Sequence, residues 1–132
     1  YLDIIEKVLF SIGGFDSDNH FIEISLETSS YSLKYHHFPP FGGTASPRDG
    51  PIEKIRALSE KEVTDLYGLI DRFYICEWPR SSIDKAILDG TQWSIKIKYQ
   101  GRRTMKKFGN NKYPPYFPQL KKAMSTLIGI EL

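Results

Sequence analysis

The chain has 132 residues, of which 40% are hydrophobic and 26% charged, and this composition predicts one globular domain over residues 1–132. The formal net charge of +2 is too small to indicate a nucleic-acid-binding protein by itself. No apolar run approaches the roughly 20 residues of a membrane-spanning helix, so no membrane span is expected. The single cysteine, Cys76, excludes an internal disulfide and slightly favours the cytoplasm. Because the chain starts at Tyr1 rather than methionine, it could be part of a longer protein.

Alternating apolar residues predict three antiparallel strands in the first third of the chain. Val8, Phe10 and Ile12 recur at every second position, which places them on one face of a strand. The strands are predicted at residues 4–12, 20–27 and 31–35, with turns at 13–19 and 28–30. In the first segment a strand is favoured at least from Lys7 onward, although Ile4, Ile5, Val8 and Leu9 would also suit a helix. Residues 36–51 are rich in proline and glycine, which predicts a long irregular loop of the kind that often carries a binding role.

Two helices are predicted in the rest of the chain. Residues 58–74 have apolar side chains at helical spacing, and Ser59 and Glu62 form a capping-box pattern at the start. Residues 75–88 are expected to be a connection with at most one helical turn. The second helix is predicted over residues 117–128, since Pro118 suits a first helical turn and Gly129 a C-terminal stop.

The stretch between the helices, residues 89–117, is the strongest structural signal in the sequence. The apolar residues Trp93, Ile95, Ile97 and Tyr99 alternate with Ser94, Lys96 and Lys98, which predicts a strand with an apolar face and a lysine face. Burying each large apolar side chain contributes roughly 1.5–3 kcal/mol, so the register of this strand should be firmly fixed. A tight reversal at residues 100–101 leads into a return strand at residues 102–108, which is expected to form a sheet edge.

The order of these elements, β-β-β-α-β-β-α, predicts an α+β fold. We expect an antiparallel sheet of about five strands with two helices packed on one face. The pattern leaves open whether the strands form one sheet or two.

The second half of the chain resembles bacterial domains of unknown function. The shared features are a capped helix, a DG-x-x-W strand and a G-x-N-x-Y-P turn before a C-terminal helix, and they cover at most residues 58–128. The residues that carry the resemblance are Asp89, Gly90, Trp93, Tyr99, Gly101, Gly109, Asn111, Tyr113 and Pro114. The resemblance implies the same order of elements and no particular activity.

Patterns for metal binding and catalysis are weak. His36 and His37 are adjacent, so on a strand they point to opposite faces and make a poor chelate. No metal or cofactor is predicted. Cys76 follows the C-terminal end of a predicted helix, the wrong end to activate a thiol, and is expected to be a small buried side chain.

Three functions remain open, and a non-enzymatic protein-interaction or accessory module is favoured. Its candidate contacts are Phe38, Phe41 and Arg48 of the loop and Tyr113 and Tyr116 of the turn, because aromatic residues and arginine are enriched at interfaces. The alternative is a nucleic-acid-associated module that uses the basic hairpin of residues 96–112. Its candidate contacts are Arg102, Arg103, Lys106 and Lys107. An unrecognised hydrolase comes third, and the oligomeric state is left open.

Overall fold

The computed structural model describes residues 4–14, 17–26, 32–38, 52–85, 90–101, 104–129 and 132. The seven strands are β1 (Ile5–Gly14), β2 (Ser17–Ser25), β3 (Ser32–Phe38), β4 (Ile52–Ala57), β5 (Ser81–Ile83), β6 (Gln92–Tyr99) and β7 (Met105–Asn110). The two α-helices are α1 (Glu60–Arg72) and α2 (Phe117–Ile128), and a short 3₁₀ helix spans Ile75–Glu77. The fold is therefore α+β, as the order of elements predicts.

All seven strands belong to one sheet in the order β4-β3-β2-β1-β6-β7-β5. Neighbouring strands are antiparallel except for β5, which runs parallel to β7, so the sheet is mixed. Strands β1 and β6 are paired in its middle, although they come from opposite halves of the chain. This pairing joins the two halves of the sequence in one sheet.

The inner face of the sheet carries the hydrophobic core. Residues that alternate along the central strands are almost fully buried there, and both helices contribute to the same core. Its most buried strand residues include Val8, Phe10, Ile22, Ile24, Leu33, Tyr35, Trp93, Ile95 and Ile97. From the helices, Leu66, Ile70, Phe117, Leu120 and Met124 pack against them. The predicted inward direction of Trp93, Ile95 and Ile97 agrees with this arrangement.

Both helices begin and end with local signals that the sequence contains. Ser59 caps α1, where its hydroxyl accepts a hydrogen bond from the Glu62 backbone N–H and the Glu62 carboxylate accepts one from the Ser59 N–H. Helix α2 has the predicted bounds, and Gly129 ends it in the left-handed conformation, with φ of 71°. No helix in the described part of the chain is long and apolar enough to cross a membrane.

The sheet is larger than the sequence predicts, by one strand at each edge. Strand β4 lies within the segment between the predicted third strand and first helix, and its described side chains are exposed. Strand β5 has only three residues and lies in the connection that was expected to contain at most one helical turn. Edge strands bury few side chains, so they lack the alternating pattern that identifies central strands. Since β5 pairs with β7, the expectation that the return strand forms the sheet edge is wrong.

Several element boundaries also differ from the prediction, as two examples show. Strand β2 begins at Ser17, inside the predicted turn, and β3 continues to Phe38, inside the predicted loop. In both places the backbone pairing with a neighbouring strand extends the element beyond its run of alternating apolar residues. The remainder of the predicted loop, residues 39–51, lies outside the described residues.

Candidate functional site

Three exposed tyrosines lie beside the end of α1 and the start of α2. Tyr74 follows the end of α1, Tyr116 immediately precedes α2, and Tyr113 lies in the turn between β7 and α2. Tyr74 is 56% exposed, and Tyr113 and Tyr116 are each 44% exposed. The ring centroids of Tyr74 and Tyr116 are 6.3 Å apart. We call these three residues the tyrosine cluster.

Buried aromatic rings support the tyrosine cluster from below. The Tyr116 ring stacks on Phe73 with the centroids 5.8 Å apart and the planes at 11°. The Tyr113 ring lies 4.8 Å from Phe117, which also contacts Trp93. The guanidinium carbon of Arg72 lies 5.1 Å from the centroid of the Phe73 ring, a distance at which a cation is attracted to the π face. One side of Tyr113 and one side of Tyr116 therefore pack on the core, while both residues remain partly exposed to water.

Two members of the cluster have backbone conformations that bulky residues seldom adopt. Tyr74 has φ of 53° and Tyr116 has φ of 68°, both in the left-handed region. Such a conformation costs about 1 kcal/mol or more for a non-glycine residue, and it persists only where the surrounding structure imposes it. Local turn geometry alone would favour glycine or asparagine at these positions. Tyrosine therefore occupies these positions because of its side chain, since glycine or asparagine would suit the backbone conformation better.

The basic residues of the hairpin divide between the two faces of the sheet. Lys96, Lys98 and Lys106 lie on the outer face, the face opposite the core, since Lys96 pairs with Lys106 across β6 and β7. Lys107 is paired with the buried Ile95 and so lies on the inner side of the sheet. The candidates Lys106 and Lys107 therefore belong to different surfaces. Lys112 follows β7, and its carbonyl accepts a hydrogen bond from the Trp93 indole at 2.9 Å.

The other sequence-derived candidates lie wholly or partly outside the described residues. Phe41, Arg48, Arg102 and Arg103 are not described, and for Phe38 only the backbone in β3 is. Of the candidate residues, Tyr113 and Tyr116 both precede α2, and each packs on a buried aromatic ring. Tyr74 completes the cluster, and the sequence places it only as the last residue of the predicted helix over residues 58–74. Only the packing of both helix ends shows that it faces water.

Polar and titratable groups add two observations. Within the described part of the chain, no three His, Cys, Asp or Glu residues converge in a way that could hold a metal ion. Cys76, expected from the sequence to be buried, is exposed, and its Sγ lies 3.3 Å from the hydroxyl of Tyr99. The 3₁₀ helix directs Ile75 into the core, which turns the next residue outward.

Comparisons of the chain with protein-family models, with curated proteins and with solved structures gave no match.

Proposed function

We propose that this protein is a non-enzymatic interaction module that binds a protein partner through the tyrosine cluster. The observation that carries the proposal is that Tyr74 and Tyr116, each about half exposed, have ring centroids 6.3 Å apart, with the equally exposed Tyr113 in the same turn before α2. Tyrosine and arginine are the residues most enriched, with tryptophan, among those that dominate binding energy at protein interfaces. Arg72, which lies at the margin of the cluster, fits the same pattern.

The support of the rings suits them to this role. A side chain that is already held in place loses little conformational freedom on binding, so more of its contact energy is retained. The stacking of Tyr116 on Phe73 and of Tyr113 on Phe117 provides such preorganisation. The phenol groups also offer hydrogen bonds at the rim of an otherwise apolar contact. The expected partner is a protein with an apolar patch surrounded by backbone or side-chain acceptors.

The proposal is tested by removing two rings without disturbing the backbone. In the variant Tyr74→Asn with Tyr116→Asn, asparagine accepts the left-handed conformation, so the fold should be retained. We expect affinity capture from a lysate of the source cells to recover a partner with the wild-type chain and to lose it with the double variant. Truncation of one hot-spot residue typically costs at least about 2 kcal/mol of binding free energy, which corresponds to a loss of at least about 30-fold in affinity for each ring removed.

Phe21→Ser provides the matched control, because Phe21 is also 44% exposed but lies on the outer face of the sheet. This variant should capture the same partner as the wild type. Equal capture by all three proteins, or loss with Phe21→Ser alone, would exclude the tyrosine cluster as the contact surface. Circular dichroism of each variant establishes that the fold is intact.

A further inference from the structure

The strand register aligns one row of side chains across the outer face of the sheet. Phe21 of β2 pairs with Ser11 of β1, Ser11 pairs with Ser94 of β6, and Ser94 pairs with Phe108 of β7. Directly paired residues point to the same face, so the middle of the row has two serines flanked by two phenylalanines. The row continues to His36 and Glu53 beyond Phe21 and to Ser81 beyond Phe108. Neither helix packs on this face, because both contribute to the core on the other side.

The small residues in the middle of the row form the floor of an open groove. The hydroxyls of Ser11 and Ser94 are hydrogen-bonded to each other at 2.7 Å, which keeps the floor low and polar. Phe21 and Phe108 line the groove on either side, and its volume is about 610 Å³. Three strand spacings separate the two aromatic residues, or about 14 Å, so they are too far apart to enclose a single flat ring. They form two separate stacking platforms.

On β6 and β7 the next row along the strands adds positive charge beside the groove, whereas on β1 and β2 it continues with Leu9 and Glu23. Lys96 and Lys106 are directly opposite each other, and the Lys106 ammonium lies 5.4 Å from the centroid of the Phe108 ring. Like charges in directly paired positions are destabilising. Within the described residues, neither lysine forms an ion pair with a carboxylate. The charge of this pair is therefore available to an anion.

A second pair of opposed lysines shows how the sheet otherwise compensates such charges. Lys7 and Lys98 are also paired across β1 and β6. Each of them has a carboxylate partner, Glu23 at 3.7 Å from Lys7 and Glu6 at 3.5 Å from Lys98. Among the described residues, Lys96 and Lys106, which lie next to the phenylalanine platforms, have no such carboxylate partner.

We propose that the outer face binds single-stranded nucleic acid across this groove. Unpaired bases would stack on Phe21 and Phe108, and Lys96 and Lys106 would neutralise the phosphates between or beside them. Aromatic platforms combined with basic residues are the chemistry by which proteins bind single strands without reading a defined sequence. A duplex hides the faces of its bases and cannot use the platforms. An acidic peptide would use the lysines but has no flat rings to stack on both phenylalanines.

The test measures binding of fluorescently labelled oligo(U) and oligo(dT) to the full chain over a range of salt concentrations. At physiological salt we expect dissociation constants of about 10⁻⁶–10⁻⁴ M, the range of binding that is not sequence-specific. Each neutralised phosphate of a single strand contributes about −0.7 to the slope of log K against log salt. Lys96→Gln should therefore make the slope shallower by about 0.7, whereas Lys122→Gln, on the exposed side of α2, should leave it unchanged.

Phe21→Ser tests the stacking platform separately from the charge. This variant should bind about five-fold or more weakly, because stacking of one base contributes at least about that factor, while its salt slope stays that of the wild type. Tyr74→Asn with Tyr116→Asn should bind the oligonucleotides normally, since the tyrosine cluster lies on another surface. This result would hold whether or not the tyrosine cluster binds a protein.

Lys96→Glu separates a binding role from a structural one. An opposite charge facing Lys106 should raise the urea midpoint of unfolding, and the same change should abolish binding. A difference between oligo(U) and oligo(dT) would identify the ribose or deoxyribose strand as the preferred ligand, and equal binding would assign the site to both. The proposal is overturned by the absence of binding at low salt, or by duplex DNA or polyglutamate binding as tightly as the single strands. An unchanged affinity in Phe21→Ser would also overturn it.

Discussion

Because Gly109 has no side chain, there is room beside it for the indole ring of Trp93. Gly109 lies directly opposite Trp93 on the inner face, and a Cβ atom there would overlap the Trp93 indole and the backbone oxygen of Ser82. The indole uses this space to contact Phe117 and Trp78, with ring centroids at 4.8 Å and 6.0 Å. A close backbone approach, rather than an unusual φ angle, is therefore the reason for glycine in this strand.

Gly109→Ala should destabilise the protein by about 1–3 kcal/mol, because the added methyl group has no room between the indole and β5. Gly68→Ala is the matched control, since Gly68 lies in α1 with no atom within 4 Å of an added Cβ. It should instead stabilise the protein by about 0.5–1 kcal/mol through the higher helix propensity of alanine. Urea unfolding measures both. A Gly109→Ala protein as stable as the wild type would mean that the indole has another low-energy position.

The sequence predicts the direction of Trp93 but not the role of Gly109. Alternation along one strand is a local property, so it correctly places Trp93, Ile95 and Ile97 in the core. The partner of each residue depends on the register between strands, which only the assembled sheet defines. The same limit applies to the row of Phe21, Ser11, Ser94 and Phe108, whose members are distant in the chain. Sequence reasoning identifies the lysine face but not the groove beside it.

At the scale of elements, one arginine connects β4, α1 and α2. The Arg56 guanidinium donates two hydrogen bonds to the Glu62 carboxylate, at 3.0 Å and 2.6 Å, and one to the Leu127 carbonyl at 2.6 Å. The hydrogen bonds from Arg56, together with the one from the Ser59 backbone, lower the pKa of Glu62 to about 2. The pKa of Arg56 is raised in turn by its hydrogen bonds to that carboxylate.

This pairing predicts a pH-dependent contribution to stability. Because the pKa of Glu62 is about 2 in the folded protein and 4.5 ordinarily, the contribution is present above pH 4.5 and is lost as the pH falls toward 2. Both side chains are partly exposed, so water screens the pair and the contribution at neutral pH is about 1 kcal/mol. Glu62→Gln should lower the free energy of unfolding by that amount at pH 7.

The difference between Glu62→Gln and the wild type should then shrink between pH 4.5 and pH 2 in urea unfolding experiments. Glu60→Gln removes a carboxylate from the same helical turn, at a position without an arginine partner among the described residues. It should have a smaller effect at pH 7. A difference for Glu62→Gln that stays constant over this pH range would show that the pairing does not depend on the carboxylate charge.

The elements that sequence analysis predicts well are those with their own boundary signals. Helix α2 follows a run of prolines and ends at Gly129, so its bounds are local properties of the chain. Strand β5 contains the residues Ser-Ser-Ile and forms only because β7 offers a free edge for parallel pairing. Nothing in such a short polar run distinguishes it from a loop. The tyrosine cluster resembles β5 in having no local signal in the sequence, because it forms only where the end of α1 and the start of α2 meet.

At the scale of the whole molecule, β1 connects the two halves of the chain. It pairs with β2 on one side and with β6 on the other, and the Ile5 backbone N–H donates a hydrogen bond to the Tyr67 hydroxyl of α1 at 2.8 Å. Strand β6 therefore lies between β7, which comes from its own half of the chain, and β1, which comes from the first half. The described contacts do not divide the sheet into two independent parts.

Residues 52–132 alone should therefore not fold, although they contain both helices and four of the seven strands. Without β1, the backbone groups along one edge of β6 lose their hydrogen-bond partners, and Ile95 and Ile97 lose the neighbouring Phe10 and Val8. The expected result is an amide proton spectrum with little dispersion and no cooperative urea transition, in contrast to the full chain. A dispersed spectrum with a cooperative transition would mean that β6, β7, β5 and the helices bury enough apolar surface without β1. The conclusion that the groove and the tyrosine cluster belong to one folding unit would then fail.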